Sequence, residues 1–217
     1  MLTLNEKVKS NFESSAEKFD RIYNPSEEKS VLSRLLDKWF RKTMYFRFGE
    51  TLKNIDNKKI QSILDVGCGS GRYCVEYLKM GKKVVGIDMA ANMLKIAKET
   101  CFETVPEGNI EFINGNYMNH LFDEQYDAAV LTGLFDYIED AESMVKKLRT
   151  DVKYMVLGSF PRSDNFLNKI RKIRYFFKNC PLYLYSREKL EKIFCSAGIE
   201  NFSITETDRE FYVKLNL

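Results

Sequence analysis

A run of alternating glycines, DVGCGSG at residues 65–71, is the part of the sequence whose composition points most directly to chemistry. It follows a short apolar segment and opens a segment with helical periodicity. Glycines at alternate positions let the backbone turn sharply and approach a ligand that a Cβ atom would hold away. The N-terminus of the following helix offers N–H groups to the same ligand. The sequence therefore predicts a site for a nucleotide-like cofactor at this turn.

An acidic side chain, Asp88, follows the glycine run at the roughly 20-residue spacing that nucleotide-binding α/β folds use. At the end of a second β-rich segment, its carboxylate can accept hydrogen bonds from both ribose hydroxyls of an adenosine. In a dinucleotide-binding loop the third glycine would stand at position 72, but that residue is Arg72 and the glycine is Gly71. This displacement argues against NAD and against an NAD-dependent oxidoreductase.

From about residue 61 the sequence alternates short apolar segments with helical periodicity, which is typical of βαβ units on a parallel sheet. The expected strands are ILDVG, KVVGI, IEFIN, YDAAVL and YMVLGS. A helix at 187–197 and two β-rich segments, NFSITETD and EFYVKLNL, end the chain. Because these two segments are too close for a parallel crossover, they predict an antiparallel hairpin.

The N-terminal part of the chain reads as helices that cover this core. In residues 1–58, Asn24 and Pro25 resemble the start of a helix, and apolar pairs follow at a spacing of four. We expect residues 1–58 to form a helical cap on one cofactor-binding domain at 59–217. The length and the ordinary balance of apolar and charged residues agree with a single domain.

The two motifs ILDVGCGSGR and VVGIDMAANML resemble the first two motifs of class I S-adenosylmethionine-dependent methyltransferases. The similarity extends over residues 61–160. It implies a Rossmann-like α/β fold with a seven-stranded, mostly parallel sheet, a C-terminal antiparallel hairpin and helices on both faces. It also implies S-adenosylmethionine as the cofactor and S-adenosylhomocysteine as its product. A fainter similarity is to the magnesium-protoporphyrin methyltransferase branch.

The resemblance also implies roles for single residues. Asp65 and the glycines would face the methionyl part of the cofactor, and Asp88 its ribose. The family's third motif usually offers an Asp to the adenine; here Asn116 takes that place, and its amide oxygen can accept the same hydrogen bond. Tyr117 would flank the ring. The expected cofactor-binding residues are Asp65, Gly67, Cys68, Gly69, Gly71, Asp88, Met89, Asn116, Tyr117, Thr132 and Gly133.

The fourth motif, YDAAVLTGLFDYIED, would direct Asp136 and Tyr137 toward the methyl acceptor. In this family an Asn-Pro-Pro-Tyr motif at this place is typical of enzymes that methylate adenine or glutamine nitrogen. Because the motif is absent here, these acceptors are disfavoured. We therefore expect methyl transfer to an oxygen or nitrogen of a small molecule. Positioning alone can supply about 7–11 kcal/mol, so a general base is not required; if one acts, Asp136 and Tyr137 are the candidates. The expected acceptor-binding residues are Tyr23, Arg162 and Tyr185.

A basic segment at residues 162–178 predicts an amphipathic helix near the acceptor. Its basic residues are Arg162, Lys169, Arg171, Lys172, Arg174 and Lys178, and its apolar residues are Phe166, Leu167, Ile170, Ile173 and Phe177. A solvated face over a buried apolar stripe is the simplest interpretation. An anionic substrate, an RNA backbone and a membrane surface are the functional alternatives. An RNA methyltransferase and a non-catalytic S-adenosylmethionine-binding protein thus remain as second hypotheses.

The remaining composition mostly excludes other classes of site. Five cysteines form no CxxC pair, which disfavours metal binding and a disulfide framework and favours reduced thiols. The only histidine, His120, is expected on a polar surface loop, and a net charge of +3 is too small to indicate nucleic-acid binding. The charged N-terminal stretch does not read as a signal peptide, so a cytoplasmic location is expected. The oligomeric state stays open.

Overall fold

The structure is a computed structural model that describes residues 4–13, 31–176 and 180–217. The helices are α1 (Leu4–Glu13), α2 (Val31–Ile55), α3 (Arg72–Lys79), α4 (Ala91–Thr104), α5 (Ala141–Asp151), α6 (Phe166–Phe176) and α7 (Arg187–Ser196). The strands are β1 (Ser62–Val66), β2 (Lys83–Asp88), β3 (Ile110–Asn114), β4 (Tyr126–Leu131), β5 (Val152–Pro161), β6 (Phe202–Glu206) and β7 (Glu210–Asn216). Single 3₁₀ turns lie at Tyr117–Asn119 and Phe135–Tyr137. The helix start expected at Asn24 and Pro25 lies outside the described residues.

The seven strands form one sheet in the order β3-β2-β1-β4-β5-β7-β6. Strands β1 to β5 are parallel, whereas β7 pairs antiparallel with both β5 and β6. The predicted Rossmann-like sheet and its C-terminal hairpin are therefore confirmed. The strand order reverses between β1 and β4, which lie side by side after the chain has moved outward through β2 and β3. Ligands of open α/β sheets bind at the carboxyl ends of strands beside such a reversal.

Strand β5 is longer at both ends than the YMVLGS segment that the sequence predicts, because it runs from Val152 to Pro161. Its N-terminal extension includes Val152, which pairs with Tyr126 of β4. Its C-terminal residues pair with β7, up to Pro161 opposite Glu210. Long-range partners on both sides thus extend a strand beyond the segment that its own apolar residues mark out.

The core consists of two apolar layers on opposite faces of the sheet. In β1, Ile63 packs with residues of α2, α3 and α4 on one face, while Leu64 and Val66 pack with α5 and α7 on the other. The predicted stripes of α3 and α4 are buried in the first layer; they are Cys74, Tyr77, Leu78, Leu94, Ala97 and Cys101. Helices on both faces explain why the central strands are apolar throughout rather than alternating.

The C-terminal half of α2 is attached to the sheet by polar contacts as well as by packing. Thr51 and Tyr212 share a hydrogen bond of 3.2 Å between their hydroxyls, and Lys214 donates to the side chain of Asn54 at 2.9 Å. Ile55, at the end of the helix, is fully buried. These contacts hold α2 across β7. The division of the chain at residue 58 into cap and domain stays a prediction.

Helix α6 is oriented opposite to the simplest expectation for the basic segment. Its polar residue Asn168 is buried, and Arg171 is half-buried against the body of the protein. The apolar residues Phe166, Ile170 and Ile173 are exposed instead. Asn168 explains the orientation, because its side-chain amide donates to the backbone carbonyls of Arg162 and Arg209 at 2.9 and 2.7 Å. The expected buried apolar stripe is therefore wrong.

Two glycines that flank α3 provide a matched test of packing at the cofactor loop. Gly71 and Gly81 have φ of +77° and +72°, so alanine strains the backbone equally at both, by about 1–2 kcal/mol. A Cβ at Gly71 would lie 2.9 Å from the Cβ of Ala97, whereas a Cβ at Gly81 meets nothing within 4 Å. We expect Gly71→Ala to lower the free energy of unfolding by about 1–3 kcal/mol more than Gly81→Ala. Urea denaturation measures this difference. Equal losses of unfolding free energy in the two variants would show that α4 moves to accommodate the new Cβ without loss of stability.

Candidate functional site

A cavity of about 730 Å³ opens at the carboxyl ends of the parallel strands. The segments that follow β1, β2, β3 and β4 all line it, together with Pro161 at the end of β5. Residues from α1, α2 and α6 close it from the other side; they are Val8, Lys9, Thr43, Met44, Arg47, Asn168 and Arg171. The cavity thus lies at the reversal of strand order, where the fold predicts a ligand.

The glycine loop has the left-handed conformations that its composition predicts. Gly67, Gly69 and Gly71 have φ of 72°, 56° and 77°, which other residues adopt only with strain. A Cβ at Gly67 would lie 3.0 Å from Leu134, a residue that lines the cavity. Gly71 is outside the cavity and packs against Ala97. Because Gly67 and Gly69 carry no Cβ, their backbone forms the cavity wall directly. The absence of a Cβ at Gly71 lets α3 pack closely against α4.

The backbone N–H groups of this loop are largely used within the protein. Gly67 and Cys68 donate to the carbonyl of Ile87 at 2.8 and 3.3 Å, and Gly69 donates to the carboxylate of Asp88 at 2.9 Å. The sequence predicts that the loop's amides bind the ligand. For the amides of Gly67, Cys68 and Gly69 the structure corrects this prediction, because they donate to groups of the protein itself. The loop serves the site through its close backbone and through its attachment to the end of β2.

Asp88 is held in place by two backbone donors and keeps capacity for a ligand. One carboxylate oxygen accepts from Gly69 and the other from Ala90 at 2.8 Å. Burial raises the pKa of Asp88, while these two N–H groups oppose the rise. A carboxylate has about four acceptor sites, so about two remain for hydroxyl groups that enter the cavity. The geometry suits a pair of neighbouring hydroxyls.

Asp65 is a buried carboxyl in the same part of the cavity. Burial raises its pKa to about 7; the thiol of Cys74, which donates at 3.3 Å, opposes the rise, and the charge of Asp88 adds to it. Near neutral pH the group is therefore close to half ionised. A cation bound here would stabilise the ionised form. Asp65 and Asp88 together define the acidic end of the cavity.

The segment after β3 lines the cavity but uses several of its polar groups internally. The side-chain oxygen of Asn116 accepts from the backbone N–H of Met118 at 3.0 Å, which caps the 3₁₀ turn. The hydroxyl of Tyr117 donates to Asp151 at 2.7 Å, and its ring is buried. Tyr117 thus anchors this segment on α5. One acceptor position of the Asn116 amide oxygen is occupied, and its amide nitrogen remains as a donor.

The segment after β4 is fixed by a buried polar network. Gly133 donates to the hydroxyl of Ser159 at 2.8 Å, and the guanidinium of Arg47 donates to the same hydroxyl at 3.3 Å. Arg47 also forms an ion pair with Glu210 at 3.1 Å. Through these contacts α2, β5 and β7 hold the turn that places Thr132 at the cavity.

Asp136 and Tyr137 lie together at the cavity on the second 3₁₀ turn. The guanidinium of Arg171 binds a carboxylate oxygen of Asp136 at 2.7 Å and donates to the hydroxyl of Tyr137 at 3.3 Å. Burial and the charge of Asp136 raise the pKa of Tyr137 well above its usual value. Tyr137 is therefore protonated at neutral pH and can act as a hydrogen-bond donor, but not as a base.

Three arginines and two acids lie close to this turn; Glu139 and Asp140, which directly follow it, are further acids that line the cavity. The five side chains are Arg47, Arg171, Arg209, Asp136 and Glu210, and all of them line the cavity. Burial and the charge of Arg171 lower the pKa of Arg209, while the charges of Glu210 and Asp136 oppose this decrease. Burial raises the pKa of Glu210, while the charge of Arg47 opposes this rise. We call these five residues the arginine-rich end of the cavity.

Several residues predicted for the site lie elsewhere. Arg162 pairs with Asp164 at 2.6 Å and Glu206 at 3.3 Å, and Tyr185 donates its hydroxyl to the backbone of Phe135 and Ile138. Neither lines the cavity, so both act in the scaffold around it. His120 is also outside it, against Phe122, and Tyr23 is outside the described residues. The structure places the other predicted cofactor residues, except Gly71, at the cavity.

Sequence reasoning missed the cavity residues that come from distant elements. Arg47 of α2, and Arg209 and Glu210 at the start of β7, carry no motif and no periodicity that marks them as part of a site. Arg171 was predicted only as one member of a basic face. A signal for Glu210 exists in the hairpin itself, because the first residue of β7 pairs with Pro161 at the cavity end of β5. Identifying this pair requires the pairing register of β5 and β7, which the sequence pattern does not provide.

Comparison with known proteins supports the resemblance that the two motifs carry. The family described as Methyltransferase domain matches residues 63–153, which hold the glycine loop, Asp88 and the strands through the start of β5. The resemblance to class I S-adenosylmethionine-dependent methyltransferases is therefore confirmed over these residues.

Curated relatives match part of the chain. It is 30% identical over 106 residues to a ubiquinone biosynthesis O-methyltransferase of Hydrogenovibrio crunogenus, which covers 49% of this chain and 43% of the relative. It is also 30% identical over 155 residues to a demethylmenaquinone methyltransferase of Listeria monocytogenes, with coverages of 68% and 60%. The chain spans less than half the length of the first curated relatives that it matches.

Solved structures share the fold of the chain over nearly its whole length. The magnesium protoporphyrin IX methyltransferase of Synechocystis PCC 6803 with bound S-adenosylhomocysteine superposes with a TM-score of 0.79 at 18% identity, covering 99% of both chains. A possible histamine N-methyltransferase of Thermotoga maritima gives a TM-score of 0.68 at 18% identity, covering 96% and 98%. The fainter similarity to the magnesium-protoporphyrin branch is therefore one of fold.

The residues of the cavity fit S-adenosylmethionine. The wall at Gly67 is as close as a Cβ-free backbone allows, and Asp88 retains acceptor capacity for hydroxyl groups. Asp65 is a second carboxyl at the same end of the cavity. Among the described residues, no cluster of side chains could hold a metal ion, and no helix is long and apolar enough to cross a membrane.

The raised pKa of Asp65 predicts how cofactor binding depends on pH. Its pKa is about 7 in the free protein, and a cationic ligand favours the ionised carboxylate, so binding releases a proton. We expect affinity for S-adenosylhomocysteine to rise about tenfold between about pH 6 and pH 8, and Asp65→Asn to flatten this dependence. Calorimetry at several pH values measures both. An affinity that falls with pH in the wild type would contradict the assignment.

Proposed function

We propose that the protein transfers the methyl group of S-adenosylmethionine to an oxygen or nitrogen of a small molecule. The observation that carries the proposal is a single cavity that joins two ends of opposite character. Asp65 and Asp88 form the acidic end beside the glycine loop, and Asp136 and Arg171 lie at the arginine-rich end. A cofactor and an acceptor bound in one such cavity would be held for reaction, which is the main contribution that methyl transfer requires of a protein.

The charges of the two ends match the charges of the two reactants. S-adenosylmethionine carries a positive sulfonium, which activates the methyl group, and a positive ammonium. Asp65 and Asp88 complement these charges. The arginine-rich end offers guanidinium donors to an acceptor with an acidic hydroxyl or a carboxyl group, because Arg47, Arg171 and Arg209 all line the cavity there. We infer that the acceptor is anionic or becomes so during the reaction.

The names of the relatives support a quinone-like acceptor. Ubiquinone biosynthesis O-methyltransferases and 2-phytyl-1,4-naphtoquinone methyltransferase are named for quinone compounds, and the first name specifies transfer to oxygen. An acceptor of this class would present an acidic hydroxyl to Arg171 and an apolar ring to the rest of the cavity. Methionines supply polarizable apolar surface there; they are Met44, Met89, Met93, Met118 and Met144.

The residues of the second 3₁₀ turn would orient the acceptor and take its proton. One oxygen of Asp136 pairs with Arg171, which leaves the other as the acceptor of a proton from a hydroxyl or amine. Tyr137 would donate a hydrogen bond, because its raised pKa keeps it protonated. The RNA alternative loses weight, because the outward face of α6 is apolar at Phe166 and Ile173 and not continuously basic.

Cofactor binding tests the first half of the proposal. Asp88→Ala removes the acceptor for the ribose and for the N–H groups of Gly69 and Ala90. We expect it to weaken S-adenosylhomocysteine binding by more than about 1 kcal/mol. Isothermal titration calorimetry measures the change, and Asp123→Ala, an exposed acid in the loop before β4, is the control. Absence of binding by the wild type would refute the proposal.

Turnover tests the second half and separates an enzyme from a binding protein. Purified protein is incubated with methyl-labelled S-adenosylmethionine and a panel of phenols, quinols and aromatic acids. With an acceptor that turns over, we expect Asp136→Asn to lower kcat about 100-fold, and Tyr137→Phe less than about tenfold. Affinity for S-adenosylhomocysteine should stay within about twofold of the wild type in both, because neither side chain holds the cofactor. Equal kcat in Asp136→Asn and wild type would exclude Asp136 as the base.

A further inference from the structure

Helix α6 presents an apolar face that the described residues leave uncovered. Phe166, Ile170 and Ile173 share one face at i, i+4 and i+7, and Phe176 continues it. Their exposed fractions are 72%, 47%, 61% and 77%. Large apolar side chains that are exposed together mark a surface for an apolar partner, whereas single exposed ones do not. We call these four residues the apolar face of α6.

Basic side chains border this face without any acid in the helix. The helix sequence, FLNKIRKIRYF, contains Lys169, Arg171, Lys172 and Arg174 and no Asp or Glu. Lys169, Lys172 and Arg174 are exposed, while Arg171 points toward Asp136 at the cavity. An apolar stripe with basic borders is the pattern of helices that lie in the interface of an anionic bilayer. Their long side chains can reach lipid headgroups while the apolar residues enter the acyl boundary.

The opposite face of the same helix belongs to the wall of the cavity. Asn168 and Arg171 both line it, and Arg171 holds Asp136 and Tyr137. A membrane bound to the apolar face would therefore lie one helix diameter from the arginine-rich end. An acceptor that partitions into lipid could enter the cavity from such a surface without crossing bulk water.

We propose that the apolar face of α6 docks the protein on the surface of an anionic phospholipid bilayer. A second copy of the chain fits this surface less well, because a two-fold contact would place Lys169 and Lys172 against their own symmetry mates. RNA also fits less well, since Ile170 and Ile173, which separate Phe166 from Phe176 on this face, offer neither stacking nor hydrogen bonds. The proposal is independent of the proposed methyl transfer, since its readout is binding to vesicles.

Vesicle sedimentation of the full chain tests the proposal. The probes are vesicles of pure phosphatidylcholine and vesicles in which a quarter of the lipid is phosphatidylglycerol. We expect the wild type to partition at least about tenfold more strongly onto the anionic vesicles, and this preference to decrease as salt is raised. We expect the double variant Phe166→Ser, Ile173→Ser to lose at least about tenfold of that partitioning.

A matched double variant controls for the loss of exposed apolar residues in general. Phe102 on α4 and Leu121 are 71% and 87% exposed, so Phe102→Ser, Leu121→Ser removes similar side chains away from α6. This control should bind anionic vesicles like the wild type. Lys169→Gln, Lys172→Gln should weaken binding and reduce its salt dependence, whereas Lys95→Gln, Lys98→Gln on α4 should not.

Four outcomes would overturn the proposal. The first is that the wild type does not bind anionic vesicles, and the second is that the α6 and control double variants bind them equally. The third is a wild-type dimer in light scattering that only the α6 variant converts to a monomer. The fourth is RNA binding that the α6 variant abolishes, in the absence of binding to vesicles. Because the substituted side chains are exposed, all variants should keep the wild-type thermal unfolding midpoint and affinity for S-adenosylhomocysteine. Both measurements separate a docking effect from misfolding, and from failure of the proposed function.

Discussion

The carboxylate of Asp88 is the contact on which the cofactor end of the cavity depends. It accepts the N–H of Gly69 on one oxygen and the N–H of Ala90 on the other, and so ties the turn after β1 to the end of β2 and the start of α4. Burying a carboxylate costs free energy, and charge-assisted hydrogen bonds from rigid backbone donors offset that cost. Because both donors lie in the short turns that follow β1 and β2, these turns orient the carboxylate of Asp88 and its remaining acceptor positions. The glycine loop and Asp88 are therefore one structural unit.

A second ion pair plays the corresponding role at the other end of the cavity. Arg171 and Asp136, at 2.7 Å, join α6 to the turn after β4, and Tyr137 takes part in the same contact. The pair is half-buried, so removing either partner would leave a charge without compensation. Consequently the position of α6 and the orientation of the acceptor site depend on one another. A membrane surface bound to the outer face of α6 would therefore influence the proposed acceptor site through this one helix.

Much of the fold could be predicted because local patterns and global packing agree. The apolar strands, the stripes of α3 and α4 and the tight C-terminal hairpin follow from periodicity and connection length, and the glycine loop follows from backbone conformation. The cofactor end could be predicted for the same reason, since it comes from loops that directly follow strands. The arginine-rich end could not. Arg47 and Glu210 meet across more than half of the chain, and the packing of α2 across β7 brings them together.

The orientation of α6 shows why an amphipathic pattern alone does not determine which face is buried. Periodicity separates Phe166, Ile170 and Ile173 from Asn168 and Arg171, but it favours burying the apolar set. In the structure the buried partners are the carbonyls of residues 162 and 209 and the carboxylate of Asp136, and these groups require donors. Turning the helix over would remove the side-chain donor from the carbonyl of Arg162 and the guanidinium from Asp136, at a cost of about 1–3 kcal/mol for each. The exposed apolar residues are thus the consequence of polar groups that the cavity wall must satisfy.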